Sequence, residues 1–346
     1  FKSAYYDEKN FYTDSVRSVF GNNPCKTFIN QFDFSKSINN FNILKINLTN
    51  SLASSNGNNY LDIAEINRTS ITGSFKINNP KYRLKHLLTT SLLFDKKYLS
   101  PFTFSYSLKR EFYNHFNLYF NAGKVYRFPT INDLFWNPGG NLNLVPEQGY
   151  TGDIGIIWNK KIHKVIFSFE PSLYSRWIDN WILWQPTGSF WSPMNVKKVW
   201  NRGLETSSKV HFINKKITYD FNLKTAYNLS TNIEVYNSNN NSQDKQLIYT
   251  PHYKLVFKSQ ISYKEFTFTY LHNYTGYVFT SRDNENFLPS FNLGRLFLSF
   301  RVKLKNNSAK IFYKINNLYN TNYQVVMNRP MPLINHEIGI NFKINK

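Results

Sequence analysis

The sequence predicts an all-β chain folded as an antiparallel transmembrane β-barrel. Three observations carry this reading. Apolar and polar residues alternate over windows of about nine residues, the period-two signature of a strand. No stretch approaches the ~18–20 consecutive apolar residues that a membrane helix needs, and no long segment repeats with a helical period of about 3.6 residues. Aromatic residues make up 18% of the chain (31 Phe, 24 Tyr and 7 Trp), although hydrophobic residues reach only 41% and the mean hydropathy is −0.47. A membrane barrel reconciles these values, because only alternate residues meet lipid while the lumen side stays polar.

Taken in chain order, the first clear strand centres on 44–48, where Leu44, Ile46 and Leu48 oppose Lys45 and Asn47. Rougher alternation follows at 85–94 and 103–110. At 114–122, Phe116, Leu118, Phe120 and Ala122 oppose His115, Asn117, Tyr119 and Asn121. A further strand is expected at 163–173. At 217–228, Ile217, Tyr219, Phe221, Leu223 and Tyr227 oppose Thr218, Asp220, Asn222, Lys224 and Asn228. Strands at 253–263 and 264–274 precede 293–304, where Leu296, Leu298, Phe300, Val302 and Leu304 oppose Arg295, Ser299, Arg301 and Lys303. After 309–317 comes a closing strand, in which Ile338, Ile340, Phe342 and Ile344 oppose Glu337, Gly339, Asn341 and Lys343. Leu296, Leu298, Phe300, Ile338, Ile340 and Phe342 are expected to face lipid, and Lys303, Asn341 and Lys343 the lumen. Tight polar joints (Asn214-Lys215-Lys216, Lys305-Asn306-Asn307) alternate with longer insertions at 231–246 and 278–291, the short-turn, long-loop rhythm of a bacterial barrel. The pattern supports roughly fourteen to sixteen strands. A two-layer sandwich also alternates, but its strands run to about five or six residues, and these run longer.

Charge and chemistry narrow the function. Lys and Arg number 42 against 21 Asp and Glu, a net charge of +21. The basic residues are scattered singly, without the dense run expected of a nucleic-acid-binding chain. Lys, Asn, Ile, Phe and Tyr are all abundant, as AT-rich coding would make them. The alternatives are attraction of an anionic ligand into the lumen or contact with an anionic surface glycolipid. Cys25 is the sole cysteine, so neither an intrachain disulfide nor a multi-cysteine zinc site is expected. The seven His residues stand singly, without paired metal-ligand spacing. No nucleophile elbow or phosphate loop is present, so no catalytic residue, metal site or cofactor is expected, and the chain does not read as an enzyme.

Three motifs are more specific. The first is Tyr126-Arg127-Phe128-Pro129-Thr130-Ile131-Asn132-Asp133-Leu134-Phe135-Trp136, followed by Gly139-Gly140-Asn141, Leu144 and Pro146-Glu147. Pro129 cannot donate to a sheet ladder, so it fits a strand end, and the paired glycines permit a tight return. Glu147 is placed to accept hydrogen bonds or to pair with Arg127, bracing the loop over the lumen. The second is Asn201-Arg202-Gly203-Leu204-Glu205. The third is the C-terminal order Asn316-Asn317-Leu318-Tyr319, Tyr323, Pro330-Met331-Pro332 and closing strand.

Together these strings resemble the TonB-dependent outer-membrane receptors, nearest the cobalamin-receptor-like branch and related siderophore receptors. Loop 272–291 is similar to that family's penultimate long loop. The likeness covers about 105–346 well and the first hundred residues only by pattern. It implies a Gram-negative outer-membrane location and active import of a scarce, bulky nutrient, a cobalamin-type corrinoid ahead of an iron chelate. A plugless passive or structural barrel is the alternative. The family barrel has about 22 strands around a plug, so the resemblance implies that residues 1–346 are the C-terminal part of a receptor barrel, with the plug domain absent from this chain. The ending Asn345-Lys346 departs from the aromatic terminus of the family, and Phe342 is the expected substitute. Implied partners are outer-membrane lipid and lipopolysaccharide, the TonB complex acting through a plug, the nutrient ligand and a surface lipoprotein, with no nucleic acid.

The tryptophans of 177–200 have two readings. They form an outer interfacial girdle, or an external loop presents Trp181, Trp184 and Trp191 as stacking surfaces for a large, partly apolar ligand. Trp136, beside Gly139-Gly140, is open to the same two readings, whereas Arg127 and Glu147 are expected to brace the loop.

Overall fold

The computed structural model describes residues 1–346 except 15–18, 61–62, 114, 189, 237–240, 305–306 and 345–346. Its strands in chain order are β1 (Lys2–Asp14), β2 (Val19–Ser37), β3 (Asn42–Ser55), β4 (Ala64–Asn79), β5 (Leu84–Asp95), β6 (Thr103–Tyr113) and β7 (Phe116–Arg127). A short helix α1 (Ile131–Phe135) comes next. The strands continue with β8 (Glu147–Ile162), β9 (Val165–Thr187), β10 (Phe190–Asn214), β11 (Ile217–Glu234), β12 (Tyr253–Tyr263) and β13 (Phe266–Thr275). Last come β14 (Val278–Phe279), β15 (Phe287–Leu288), β16 (Phe291–Leu304), β17 (Asn307–Asn316), β18 (Gln324–Val326), β19 (Arg329–Pro330) and β20 (Asn335–Lys343). Sixteen of them form one antiparallel sheet in which each strand pairs with its sequence neighbours, β13 pairing with β16 and β17 with β20. The outer edges of β1 and β20 are not joined, so the sheet is open, as expected of part of a larger barrel. Every strand expected from alternation overlaps one of these elements. The joint Lys305-Asn306, the middle of the 231–246 insertion (237–240) and the terminal Asn345-Lys346 fall outside the described residues.

Register divides the sheet into two faces, because directly paired residues share a face. Leu298 pairs with Phe268 and Tyr313, and Phe300 with Phe266 and Ile311. Ile311 in turn pairs with Ile340. The other face holds Lys303, Ser308 and Lys343 in one row and Arg301, Lys310 and Asn341 in the next. The apolar face is left uncovered: Leu173 is 57% exposed and Ile340 55%. Apolar surface of this extent marks contact with a membrane or partner.

Aromatic pairs sit near both ends of the apolar face. Trp177 and Trp200 stack with centroids 5.7 Å apart near one end, and Phe212 and Tyr219 stack at 5.6 Å near the other. Trp200 and Phe212 lie on the same strand; a dozen steps of ~3.3 Å along it, tilted about 40°, give roughly 30 Å of height. That matches an apolar band bounded by two interfacial girdles.

The connections differ sharply between the ends. His163-Lys164, Lys215-Lys216 and Lys264-Glu265 close the hairpins β8–β9, β10–β11 and β12–β13 in two residues each, with φ near +50° at His163, Lys215 and Lys264. The opposite rim carries 128–146, 235–252, 276–290 and 317–334. β9 and β10 also continue past their neighbours at that rim. Residues 180–188 and 190–197 therefore form a paired two-stranded extension, while Trp177 and Trp200 still sit within the main sheet, so the two sequence readings of this tryptophan cluster divide between its base and its tip. Its Trp, Ile and Val residues suit a paired strand, and Gly188 at φ +63° turns the tip.

Candidate functional site

The connection 128–146 packs against the polar face of the sheet. Thr130 caps α1: its hydroxyl accepts from the Asp133 amide at 3.2 Å, while the Asp133 carboxylate accepts from the Thr130 amide at 2.8 Å. This capping box satisfies two donors of the first helical turn. Asp133 is 5% exposed and also accepts from the Trp184 indole N–H at 2.7 Å. Its charged neighbour is Arg127, 3.8 Å away.

Arg127 forks onto Glu147 through Nε at 2.6 Å and Nη2 at 2.7 Å, a bidentate pair across β7–β8. Glu147 further accepts from the Ile182 amide at 2.7 Å, so one carboxylate joins both ends of the loop to the β9–β10 extension. Below it, Arg68 donates to Asp95 at 2.7 Å and to the Pro129 carbonyl, with its guanidinium 5.0 Å from the Phe128 ring. Phe128, Pro129 and Leu144 are buried.

The far side of the loop is held as closely. Ser192 donates to the Gly139 carbonyl at 2.7 Å, and Asn141 to the Pro193 carbonyl at 3.2 Å. Asn195 accepts from the Val145 amide and donates back to the Val145 carbonyl, both at 3.0 Å. Tyr60 packs edge-on against Trp136 at 5.7 Å and donates to Asn132. The loop is thus tied to β4, β7, β8, β9 and β10 together.

The four tryptophans singled out from sequence occupy different environments. Trp184 is held by Asp133 and Trp136 by Tyr60. Trp191 lies 5.2 Å from Tyr249, linking β10 to the 235–252 connection. Trp181 pairs with Val196 and makes no ring contact or side-chain hydrogen bond among the described residues. Trp181, Leu183 and Gln185 share one face of the extension, with Val196 and Met194 paired beside them; Ile182 and Trp184 take the other. Trp177 and Trp200 belong to the outer girdle.

The face carrying Leu183, Met194 and Val196 lines a cavity of about 730 Å³, counting the space open to solvent. Its other wall comes from the 235–252 and 276–290 connections and includes Tyr236, Lys245 and Arg282. Tyr236 donates to Asn180 at 2.6 Å, and burial pushes its phenol pKa up. The Ser281 hydroxyl and the Glu285 amide hold the Asp283 carboxyl below its ordinary value. It therefore remains anionic beside the exposed Arg282. The cavity offers aliphatic walls, amide groups and three cations, of which Lys197 is paired with Glu234. Among the described residues no group of three or more His, Cys, Asp or Glu is placed to hold a metal ion.

Sequence reasoning missed Arg68, Asp95, Asp133 and Asn195. The signal available for Asp133 was Thr130-x-x-Asp133, a capping-box spacing at the end of a strand. The other three act across long sequence separations and leave no local pattern.

The family model for the TonB dependent receptor-like β-barrel matches residues 3–318. Over 87 residues the chain is 32% identical to the vitamin B12 transporter BtuB of Vibrio vulnificus (strain YJ016), an alignment covering 25% of this chain and 14% of that protein. Among solved structures, the FrpB iron transporter of Neisseria meningitidis (F5-1 variant) superposes with a TM-score of 0.71 at 11% identity, covering 98% of this chain and 60% of that one. A point mutant of the ferric enterobactin receptor PfeA of Pseudomonas aeruginosa gives 0.68 at 13% identity, covering 94% and 55%. The chain spans little more than half the length of those receptors.

Proposed function

This chain belongs to the TonB-dependent receptor-like β-barrel family, whose members are outer-membrane transporters of Gram-negative bacteria, and from that premise we propose that it forms the ligand-gathering wall of an energised importer. The nutrient is scarce and bulky, a cobalamin-type corrinoid ahead of an iron chelate. The polar face is the lumen, the long-loop rim is extracellular, and lipid and lipopolysaccharide surround the apolar face. The observation that carries the reading is the rim cavity beside the β9–β10 extension, where Lys245 and Arg282 stand opposite aliphatic side chains. Such a wall suits a ligand with both apolar area and anionic groups. The 32% identity to a vitamin B12 transporter supports the corrinoid. Ligands of that size exceed passive diffusion, so transport requires binding here followed by displacement of a plug by the TonB complex.

Trp181 and Trp191 are the proposed ligand contacts, since rigid aromatics supply area at low entropic cost. Trp136 and Trp184 contribute through the loop they hold, together with Arg127 and Glu147. Full-length protein carrying Trp181→Ala should bind corrinoid on the order of tenfold more weakly, the loss of about 1.4 kcal/mol, with unchanged heat-modifiability. Unaltered affinity for both corrinoid and ferric chelate in the Trp181→Ala, Trp191→Ala double variant would return these residues to a structural role. Uptake that persists after collapse of the proton gradient would favour the passive pore.

Sidedness has its own test. Leu142 is 59% exposed at the crest of the 128–146 loop. Leu142→Cys in a Cys25→Ser background should react with an impermeant maleimide in intact cells. Reaction confined to cells with a ruptured outer membrane would invert the orientation.

A further inference from the structure

The short-turn rim carries an unneutralised band of positive charge. Lys160, Lys161 and Lys164 flank the β8–β9 turn, Lys215 and Lys216 form the β10–β11 turn, and Lys264 opens the β12–β13 turn. All six are exposed. None forms an ion pair among the described residues, and Glu265 is the sole carboxylate within these three turns. The turns close alternate gaps between adjacent strands, so neighbours along the rim lie about 10 Å apart. That is close to the Debye length at physiological salt, so their potentials add in part.

The opposite rim of the same strands is built differently. There Lys197 and Lys198 pair with Glu234, Lys198 also approaches Asp179, and Arg127 pairs with Glu147. The long-loop rim thus mixes paired cations with lone ones such as Lys97 and Lys245, whereas at these three turns all six lysines are left without an ion pair among the described residues.

Just inside the cationic turns, the apolar face carries a layer of rings. Phe212 stacks on Tyr219, Phe266 lies 4.5 Å from Phe300, and the Lys264 ammonium sits 5.3 Å from the Tyr263 ring. Aromatic side chains of this kind settle at the headgroup level of a bilayer. Cations one or two residues beyond them stand at the depth of the lipid phosphates.

We propose that this rim is a binding band for the phosphodiester headgroups of anionic phospholipid in the leaflet it enters. The inference rests on the membrane-barrel reading above, in which the short-turn rim faces the periplasm. It is independent of what the receptor transports. Each lysine near a headgroup surface adds a modest electrostatic attraction, and six on one arc make the local leaflet composition depend on the protein.

The test is lipid selectivity of the full-length protein reconstituted in bilayers, read by spin-labelled phosphatidylglycerol and phosphatidylcholine in electron paramagnetic resonance. At low salt the motionally restricted shell should favour phosphatidylglycerol on the order of three- to fivefold, and raised salt should reduce the preference. Replacing Lys160, Lys161, Lys164, Lys215 and Lys216 together by Gln should bring the ratio near one, while heat-modifiability stays intact. Replacing Lys96, Lys97 and Lys245 of the long-loop rim should leave it unchanged. Equal association of the two lipids with the unaltered protein overturns the proposal and leaves the band free for an anionic periplasmic polymer. A preference abolished by the long-loop variant and not by the turn variant overturns it too. Failure of the protein to enter bilayers at all would instead count against the barrel reading.

Discussion

Leu298→Arg will block or strongly slow assembly of the barrel, and Lys303→Leu will be tolerated. Leu298 lies midway along β16, 48% exposed, in a row with Phe268 and Tyr313 on the apolar face. A charge on the lipid face near the midplane costs about 2–4 kcal/mol, a large share of the ~5–15 kcal/mol by which folded proteins are stable. Lys303 belongs to the opposite face, beside Ser308 and Lys343, where removing one cation relieves like-charge crowding. Heat-modifiability on a denaturing gel reports the folded fraction, and Leu298→Phe serves as the conservative control. The reverse ranking would exchange the two faces of the sheet.

Gly139→Ala will release the 128–146 loop without unfolding the barrel. Gly139 sits at φ +123°, a region that glycine alone enters readily, at a cost of about 1–3 kcal/mol for other residues. A Cβ built there falls 2.1 Å from the Trp191 carbonyl oxygen, which is backbone of a paired strand and cannot swing aside. The loop would give way, breaking the Ser192 bond to Gly139 and the Asn141 bond to Pro193. Limited proteolysis of intact cells should then cut within 137–145 roughly tenfold faster, the effect of about 1.4 kcal/mol on the opening of the loop, and ligand affinity should fall. Gly188→Ala is the comparison: that glycine also has positive φ but meets no atom within 4 Å of an added Cβ. Equal proteolysis of the two variants would mean that the close approach at Gly139 does not hold the loop.

The wall of the barrel was legible in the sequence for a physical reason. A strand with lipid on one side and water on the other must alternate, so Leu296, Leu298 and Phe300 against Arg295, Ser299 and Arg301 declare both the element and its faces. Long-loop and short-turn rhythm was visible in the same way, because two-residue joints such as Lys215-Lys216 leave room for nothing else. Helix α1 was not anticipated, since five residues carry no helical periodicity; its capping box, Thr130 with Asp133, was the one available sign.

Alternation and turn spacing were sufficient for the β class and for the facing of the clearest strands, and the three motifs carried the likeness to a receptor barrel. They were silent on what the tryptophans do. Trp177, Trp181, Trp184, Trp191 and Trp200 look alike along the chain, yet pairing sends Trp177 and Trp200 to the outer girdle, Trp184 to Asp133 and Trp181 to the cavity face. That sorting depends on the unusual length of β9 and β10 and on contacts between residues some fifty positions apart, such as Trp184 with Asp133 and Asn195 with Val145. Local pattern records the environment of a strand's two sides. It cannot record which distant loop folds down onto one of them, because that is settled by the packing of the assembled sheet.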